Sequence, residues 1–597
     1  MEDIEAKVRN SLKNACIPQE RVVPSASSRY LDLAEKIARQ TLAWQDDGGR
    51  IIDPYKKNEV NTITARFLGT LGLLIMQGRC RDLIEPCAKA LTPALEDLFY
   101  IRTNWGEFIV KEACMAYMAI KDAVPKDMAD YWQHLLADYG DPELAYARTF
   151  TNNPSGLQNF CTFAIAGEAF RQKLGLANNQ DFMDRYLEQQ LTLFDKNGMY
   201  NDPQSPITYD MVSRMNLSLA RWAGYQGKYS EVLDEILRLG ALTQLLYQSP
   251  TGECPFGGRS NQQNFNEVTF ALICEYEAVR WKRNGDLKLA GAFKRAAALA
   301  IHSIEEYLCP TPIYFAKNMF RSETIHGGEK GYGEYGGYSL LIASQLGFAA
   351  LLADNTIAEG KCPVECGGYG LVTAAGFHKV FANCRGYQLE IDTNADFHYD
   401  ATGLGRIHRA SVPSELGLSV PIVSEPNYLV SGVPAPHNIT IGPGWQDCVG
   451  DTRWLADFSS PSVQTAINLK KENSGEVQFS VEYHGMPGCD RVVEQYRIDG
   501  EGVKITDTVQ GPITELLVQI PLLQTNGKYC AEIEIRQRGF VVAYRDCTYR
   551  VECLEPEQVE VAVGTFDAPN RNGIYKVGTF KVKGNKIIYR LRLEKLD

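Results

Sequence analysis

The feature that most constrains this chain is a change of period near its middle. Up to about residue 356, apolar residues recur every 3.6 positions in segments of roughly 12 to 22 residues, separated by Gly, Pro, Asn and Asp. Beyond Asp354 the spacing becomes an alternation, as over 378–381, 387–391, 477–483 and 586–593. The first pattern predicts helices over 29–45, 60–77, 82–97, 107–121, 127–137, 155–174, 181–194, 207–224, 229–248, 263–283, 286–307 and 338–354. Twelve antiparallel helices make six hairpins, which suits an (α/α) toroid, and the second pattern predicts an antiparallel β-sandwich. The expected chain is therefore α+β and multidomain, with a toroid over 1–356 and a sandwich over 357–597. The loop-rich, proline-containing stretch 400–460 is able to fold back over the helices and contribute loops to a cleft.

Charge narrows the partners. Lys and Arg number 61 against 73 Asp and Glu, a net charge of −12, which argues against a nucleic-acid partner. Apolar residues at 45% and charged residues at 22% allow a large core and exclude disordered and coiled-coil classes. The most apolar stretch, Leu340 to Leu352, is short and interrupted by Ser344 and Gln345, so no membrane span is expected. The start, Met1-Glu2-Asp3, lacks the basic and apolar segments of a secretory leader. Sixteen cysteines are scattered, several within apolar helical patterns (Cys114, Cys161, Cys274), as reduced core residues would be. A cytoplasmic location is the expectation, and homo-oligomerisation is left open.

Polar residues crowd into the connections that would face the centre of such a ring. Asn104 and Trp105 open one helix; Asn152 and Asn153 lie before Pro154 and another helix. The turn at 195–202 leads to Tyr209, Asp210 and Arg214 on roughly one helical face. Residues 257–267 pack Arg259, Asn261, Gln263, Asn264 and Glu267 into a loop-to-helix junction, a density that capping does not account for. A glycine-rich loop at 326–339 presents His326, Glu329, Tyr332, Glu334, Tyr335 and Tyr338; no strand precedes it, so it is not a dinucleotide fingerprint. In the second half, 392–409 gathers His398, Arg406 and His408 with several carboxylates. Neither an HExxH motif nor paired CxxC motifs occur, so no metal is expected, and no motif requires a cofactor. The GxSxG elbow and the P-loop are absent too.

Arg, Asn, Gln, Tyr and His suit a carboxylated sugar: guanidinium and amides pair with the carboxylate, and aromatics stack on the ring. An acidic oligosaccharide is the expected partner. In β-elimination an enzyme must neutralise the uronate carboxylate and set a Tyr or His against the C5 proton. The chain resembles the polysaccharide lyases built from an α/α toroid and a C-terminal β-sandwich, the heparinase-like, chondroitin and alginate lyases, over nearly its whole length. Asn104-Trp105 is similar to their Asn-Trp segment, 195–198 with Tyr209 to their hairpin turn, and Tyr332 with Tyr335 to their tyrosines. The resemblance implies carboxylate neutralisation by Asn153, Arg259 and Asn264, and proton transfer by His326 and Tyr335. The full motif set of any single lyase family is missing.

A second group of toroid enzymes, exo-acting uronidases and unsaturated-uronyl hydrolases, implies instead a glycoside hydrolase in which Asp210, Glu267 and Glu334 carry the chemistry. A non-catalytic carbohydrate-binding scaffold is the third reading. Terpenoid cyclases are set aside because their Asp-rich metal motifs are missing.

Overall fold

A computed structural model describes residues 3–16, 26–60, 62–102, 105–152, 156–203, 206–459 and 464–596. Six inner helices close a ring, each packed on the next: Ile63–Met76, Gly106–Ile120, Asn159–Lys173, Pro206–Ala223, Phe265–Arg283 and Tyr335–Leu352, the last returning to the first. Between them in sequence, Ala26–Leu42, Ile84–Glu96, Lys126–Ala137, Gln180–Leu191, Ser230–Tyr247 and Leu287–Leu308 form an outer layer. Amphipathicity sorts the two sets. Ala26–Leu42 buries one stripe (Tyr30, Ala34, Ile37, Ala38, Thr41), whereas Ile63–Met76 and Tyr335–Leu352 are buried on nearly every face, as helices enclosed by neighbours must be. By length and composition Tyr335–Leu352 could cross a bilayer, but here it seals the ring.

Local chemistry sets the boundaries. The 159–173 helix starts later than its periodicity predicts because Gly156 is left-handed (φ 69°) and Gln158 is extended. The 335–352 helix starts earlier than predicted, taking in Gly336, where a Cβ would stand 2.3 Å from Ile63 Cδ1. Close helix approach thus outweighs poor propensity there. At Gly198 (φ 71°) Asp195 Oδ1 accepts from the Asn197 and Met199 amides, and a Cβ would meet Gly240 N at 2.5 Å. Gly198→Ala is expected to cost about 3 kcal/mol, from left-handed strain plus overpacking, read as a lower urea midpoint at unchanged slope.

The second half is antiparallel. A four-stranded sheet (Tyr369–Val372, Lys379–Cys384, Tyr387–Asp392, Gly403–Arg409) leads to an eight-stranded and a six-stranded sheet that share one apolar core. Alternation lets the small sheet serve both halves: Leu371 and Phe381 join the toroid core, Val380, Ala382 and Leu389 the sandwich core. Residues 427–429 pair with the glycine-rich loop through Gly327 N to Leu429 O, Lys330 N to Asn427 O and Leu429 N to Gly328 O. Cys114, Cys161 and Cys274 are free and buried.

Candidate functional site

A cavity of about 120 Å³ opens at the N-terminal ends of the inner helices. Its walls carry Arg66, Arg148 and Arg259, Trp105, Phe160, Tyr209, Tyr332 and Tyr338, with Glu334 the one carboxylate among the described lining residues. Ser260 is its hub: Oγ lies 3.4 Å from the Tyr209 hydroxyl and 3.3 Å from those of Tyr332 and Tyr338. Ser260 has φ 60° and Gln262 also φ 60°, a region non-glycine residues seldom occupy, so surrounding bonds must impose it. Four do so. Cys254 N donates to Glu267 Oε1 (2.9 Å), Phe256 N to Glu390 Oε2 (3.2 Å), Gly258 N to Asp400 Oδ2 (2.8 Å) and Ser260 N to Glu329 Oε1 (2.5 Å).

The guanidiniums are held differently. Arg66, on the 63–76 helix, donates to Gly337 O (2.7 Å). Arg148, on the short helix Ala147–Asn152, lies 4.2 Å from the Trp105 ring centre and 4.8 Å from that of Phe160. Glu107 fixes that short helix by accepting from Thr149 N (2.6 Å) and Oγ1 (2.7 Å). Arg259 sits 4.2 Å from the Tyr209 ring centre and 4.0 Å from Asp202. Burial lowers the pKa of Arg66 and Arg148; at Arg259 the same burial is outweighed by Tyr209, Tyr332 and Asp202, which raise it. Burial also pushes Tyr332, Tyr338 and Glu334 upward, so the two phenols keep their protons. Three guanidiniums thus face one carboxylate across the cavity, while Glu112, Glu107 and Asp202 act on Arg66, Arg148 and Arg259 from behind the wall.

The sequence-predicted residues divide accordingly. Trp105, Tyr209, Arg259, Tyr332, Glu334 and Tyr338 meet in the cavity. Tyr335 turns away, donating to Ile313 O (2.8 Å) amid Trp44, Tyr55 and Phe315. His326 is buried against Phe320; its Nε2 lies 2.7 Å from Asn570 O, Nδ1 accepts from Ser431 N (2.8 Å), and burial lowers its pKa to about 4. Asp210 is consumed by Arg214 (2.7 Å), Tyr200 N (2.7 Å) and Gln244 (3.0 Å). Glu267 pairs with Lys317 (2.6 Å). Asn261 Nδ2 donates to Gly258 O, Asn264 Nδ2 to Tyr314 O (2.7 Å) and Gln263 Nε2 to Gly327 O (3.4 Å), so all three shape the loop.

Arg406 donates to Ser419 O (2.8 Å) and Cys254 O (2.7 Å). His408 lies between Ser249 Oγ (2.7 Å) and Ser419 Oγ (2.9 Å), its pKa held far below 6.5 by burial. His398 is exposed beside Asp396 (3.1 Å). Asn104, Asn153 and the side chain of Asn152 lie outside the described residues. Among the described residues no three or more His, Cys, Asp or Glu converge as metal ligands.

Sequence reasoning passed over Arg66, Arg148 and the role of Ser260. Arg66 did leave a signal, as the lone charge in the apolar helix Ile63–Met76. Arg148 left none, because its helix has six residues and too few turns for a period.

No family model and no curated protein matches the sequence. Among solved structures, heparinase III matches 99% of this chain and 89% of its own, with a TM-score of 0.55 at 10% identity. Chondroitinase AC lyase matches over 96% and 82%, TM-score 0.45, 10% identity. An unsaturated glucuronyl hydrolase from Streptococcus agalactiae matches over 58% and 96%, TM-score 0.40, 11% identity. The chain is thus structurally similar to these proteins at low sequence identity, and across nearly its full length it has the helical-ring-plus-antiparallel-sheet fold of heparinase III.

Proposed function

We propose that this protein cleaves uronic-acid-containing oligosaccharides by β-elimination. The observation that carries the reading is the cavity in which three guanidiniums face a single carboxylate while three phenols meet at Ser260. Arg259, with Arg148 and Arg66 beside it, pairs with the uronate carboxylate and stabilises the charge that builds there as C5 loses its proton. Tyr209, having released its own proton to solvent with the Arg259 guanidinium 4.2 Å from its ring, takes the C5 proton as a phenolate and returns it to solvent after turnover. The C5 electron pair forms the C4–C5 double bond as the C4–O bond breaks, and Tyr332, kept protonated by burial, donates to the departing oxygen. Trp105 offers the neighbouring sugar a stacking face.

Glu334 favours a second reading, hydrolysis, since burial raises its pKa as suits a general acid. A hydrolase of the two-carboxylate kind needs a second acid about 5–9 Å away, and the described lining residues supply Glu334 alone. Incubation with a panel of uronic-acid oligosaccharides separates the two. Elimination produces the ultraviolet absorbance of an unsaturated uronate in step with new reducing ends; reducing ends without absorbance would move the chemistry to Glu334. Arg259→Ala is expected to lower kcat/KM on acidic substrates by about 10- to 100-fold. An equal loss on a neutral sugar would contradict its pairing with a carboxylate.

A further inference from the structure

We propose that Asp400, contributed by the second half of the chain, is a positioning residue that aims Arg259 into the cavity by holding the Gly258 amide. The inference rests on the reading of the cavity as an acidic-sugar site. Every second amide from Cys254 to Ser260 donates to a different buried carboxylate, and of these only Glu267 belongs to an inner helix. Glu390 lies on the strand Tyr387–Asp392 and Asp400 in the turn that follows it. Glu329 is itself held by Arg571, whose Nη2 donates to Oε1 at 2.6 Å.

Gly258 is the contact next to the functional side chain. It is left-handed (φ 71°), lies between Gly257 (φ 147°) and Arg259, and so has the least backbone restraint of the segment. The hydrogen bond from its N–H to Asp400 Oδ2 replaces that restraint. Asp400 is buried, and its second oxygen has no hydrogen-bond partner among the described residues, so the Gly258 amide is its one such bond beyond its own turn. Burial, opposed by Lys379 and reinforced by Asp392, brings its carboxyl up to about 7. Asparagine at this position presents an oxygen acceptor of the same shape to the Gly258 amide.

The test compares Asp400→Ala with Asp400→Asn, which keeps an oxygen acceptor for Gly258 N–H, and reads hydrogen–deuterium exchange over 254–262 without substrate and cleavage of uronic-acid oligosaccharides with it. Asp400→Ala is expected to speed exchange in this segment about tenfold or more and to lower kcat/KM comparably, with Asp400→Asn restoring both to within about threefold. Because Asp400 acts through Arg259, Asp400→Ala in an Arg259→Ala background should cost no more than about twofold further. Wild-type exchange in Asp400→Ala, or additive losses in the double variant, would overturn the proposal. Should Asp400→Ala not fold, Asp400→Ser, too short to reach Gly258, replaces it. Wild-type inactivity on every acidic oligosaccharide would sink the functional reading and leave the exchange result to decide the positioning role.

Discussion

Tyr332→Phe is expected to slow turnover of uronic-acid oligosaccharides by about 10²–10⁴-fold, with the unfolding midpoint nearly unchanged. The phenol lines the cavity and reaches Ser260 Oγ, and removing its oxygen withdraws the proposed proton donor while leaving the ring that fills space. The matching control is Tyr335→Phe. Its hydroxyl donates to Ile313 O inside an aromatic cluster, so its loss should cost about 1 kcal/mol of stability and leave turnover within about threefold. Steady-state kinetics and thermal melts on the pair decide the matter. Abolished turnover in Tyr335→Phe beside normal turnover in Tyr332→Phe would return proton transfer to the residue the lyase resemblance implied.

Raising the pH from about 4.5 towards 7 is expected to weaken the sandwich, and Glu494→Gln to remove that dependence. Glu494 and Asp507 are register partners on neighbouring strands, both buried, with Tyr589 donating to Asp507 Oδ2 at 3.0 Å. The groups that face them are the phenols of Tyr483, Tyr496 and Tyr589. Burial pushes Glu494 up from 4.5 to about 7, and burial with the Glu494 charge drives Asp507 well above the carboxylate range. Between those values the folded state binds more protons than the unfolded chain, so stability is complete below about pH 4.5 and is lost as pH rises towards 7. The loss is on the order of 3 kcal/mol for Glu494. Urea denaturation across this range should show the decline in wild type and a flatter profile in Glu494→Gln; parallel profiles would remove the pair as its source.

The ring was legible because helix-forming segments are a local property: apolar stripes mark the outer helices and longer apolar runs the enclosed ones, whatever they pack against. The cavity residues were legible where polar side chains lay in turns or in the first turn of a helix, as with Arg259, Tyr332 and Tyr209. Rotation about a helix axis decided the rest. Tyr209 and Asp210 are neighbours in sequence, yet the 100° between successive residues sends one into the cavity and the other to Arg214. Tyr335 and Tyr338, about 60° apart on their helix, both touch Phe315, yet the Tyr335 hydroxyl donates to Ile313 O while that of Tyr338 reaches Ser260 Oγ. Ser260 could not be anticipated, since its part depends on a backbone segment held by carboxylates of which three, Glu329, Glu390 and Asp400, are distant in sequence.

The helix Tyr335–Leu352 packs on Ala26–Leu42, Ile63–Met76 and Phe265–Arg283, and the cavity it completes draws on residues from Val60 to Gln345. A nascent chain emerging from the ribosome therefore carries five inner helices of an open arc and no binding pocket until this segment appears. Fragments ending short of it should be inactive however well they fold, whereas a separately supplied C-terminal piece beginning near residue 310 has the means to restore the site by completing the circle from outside.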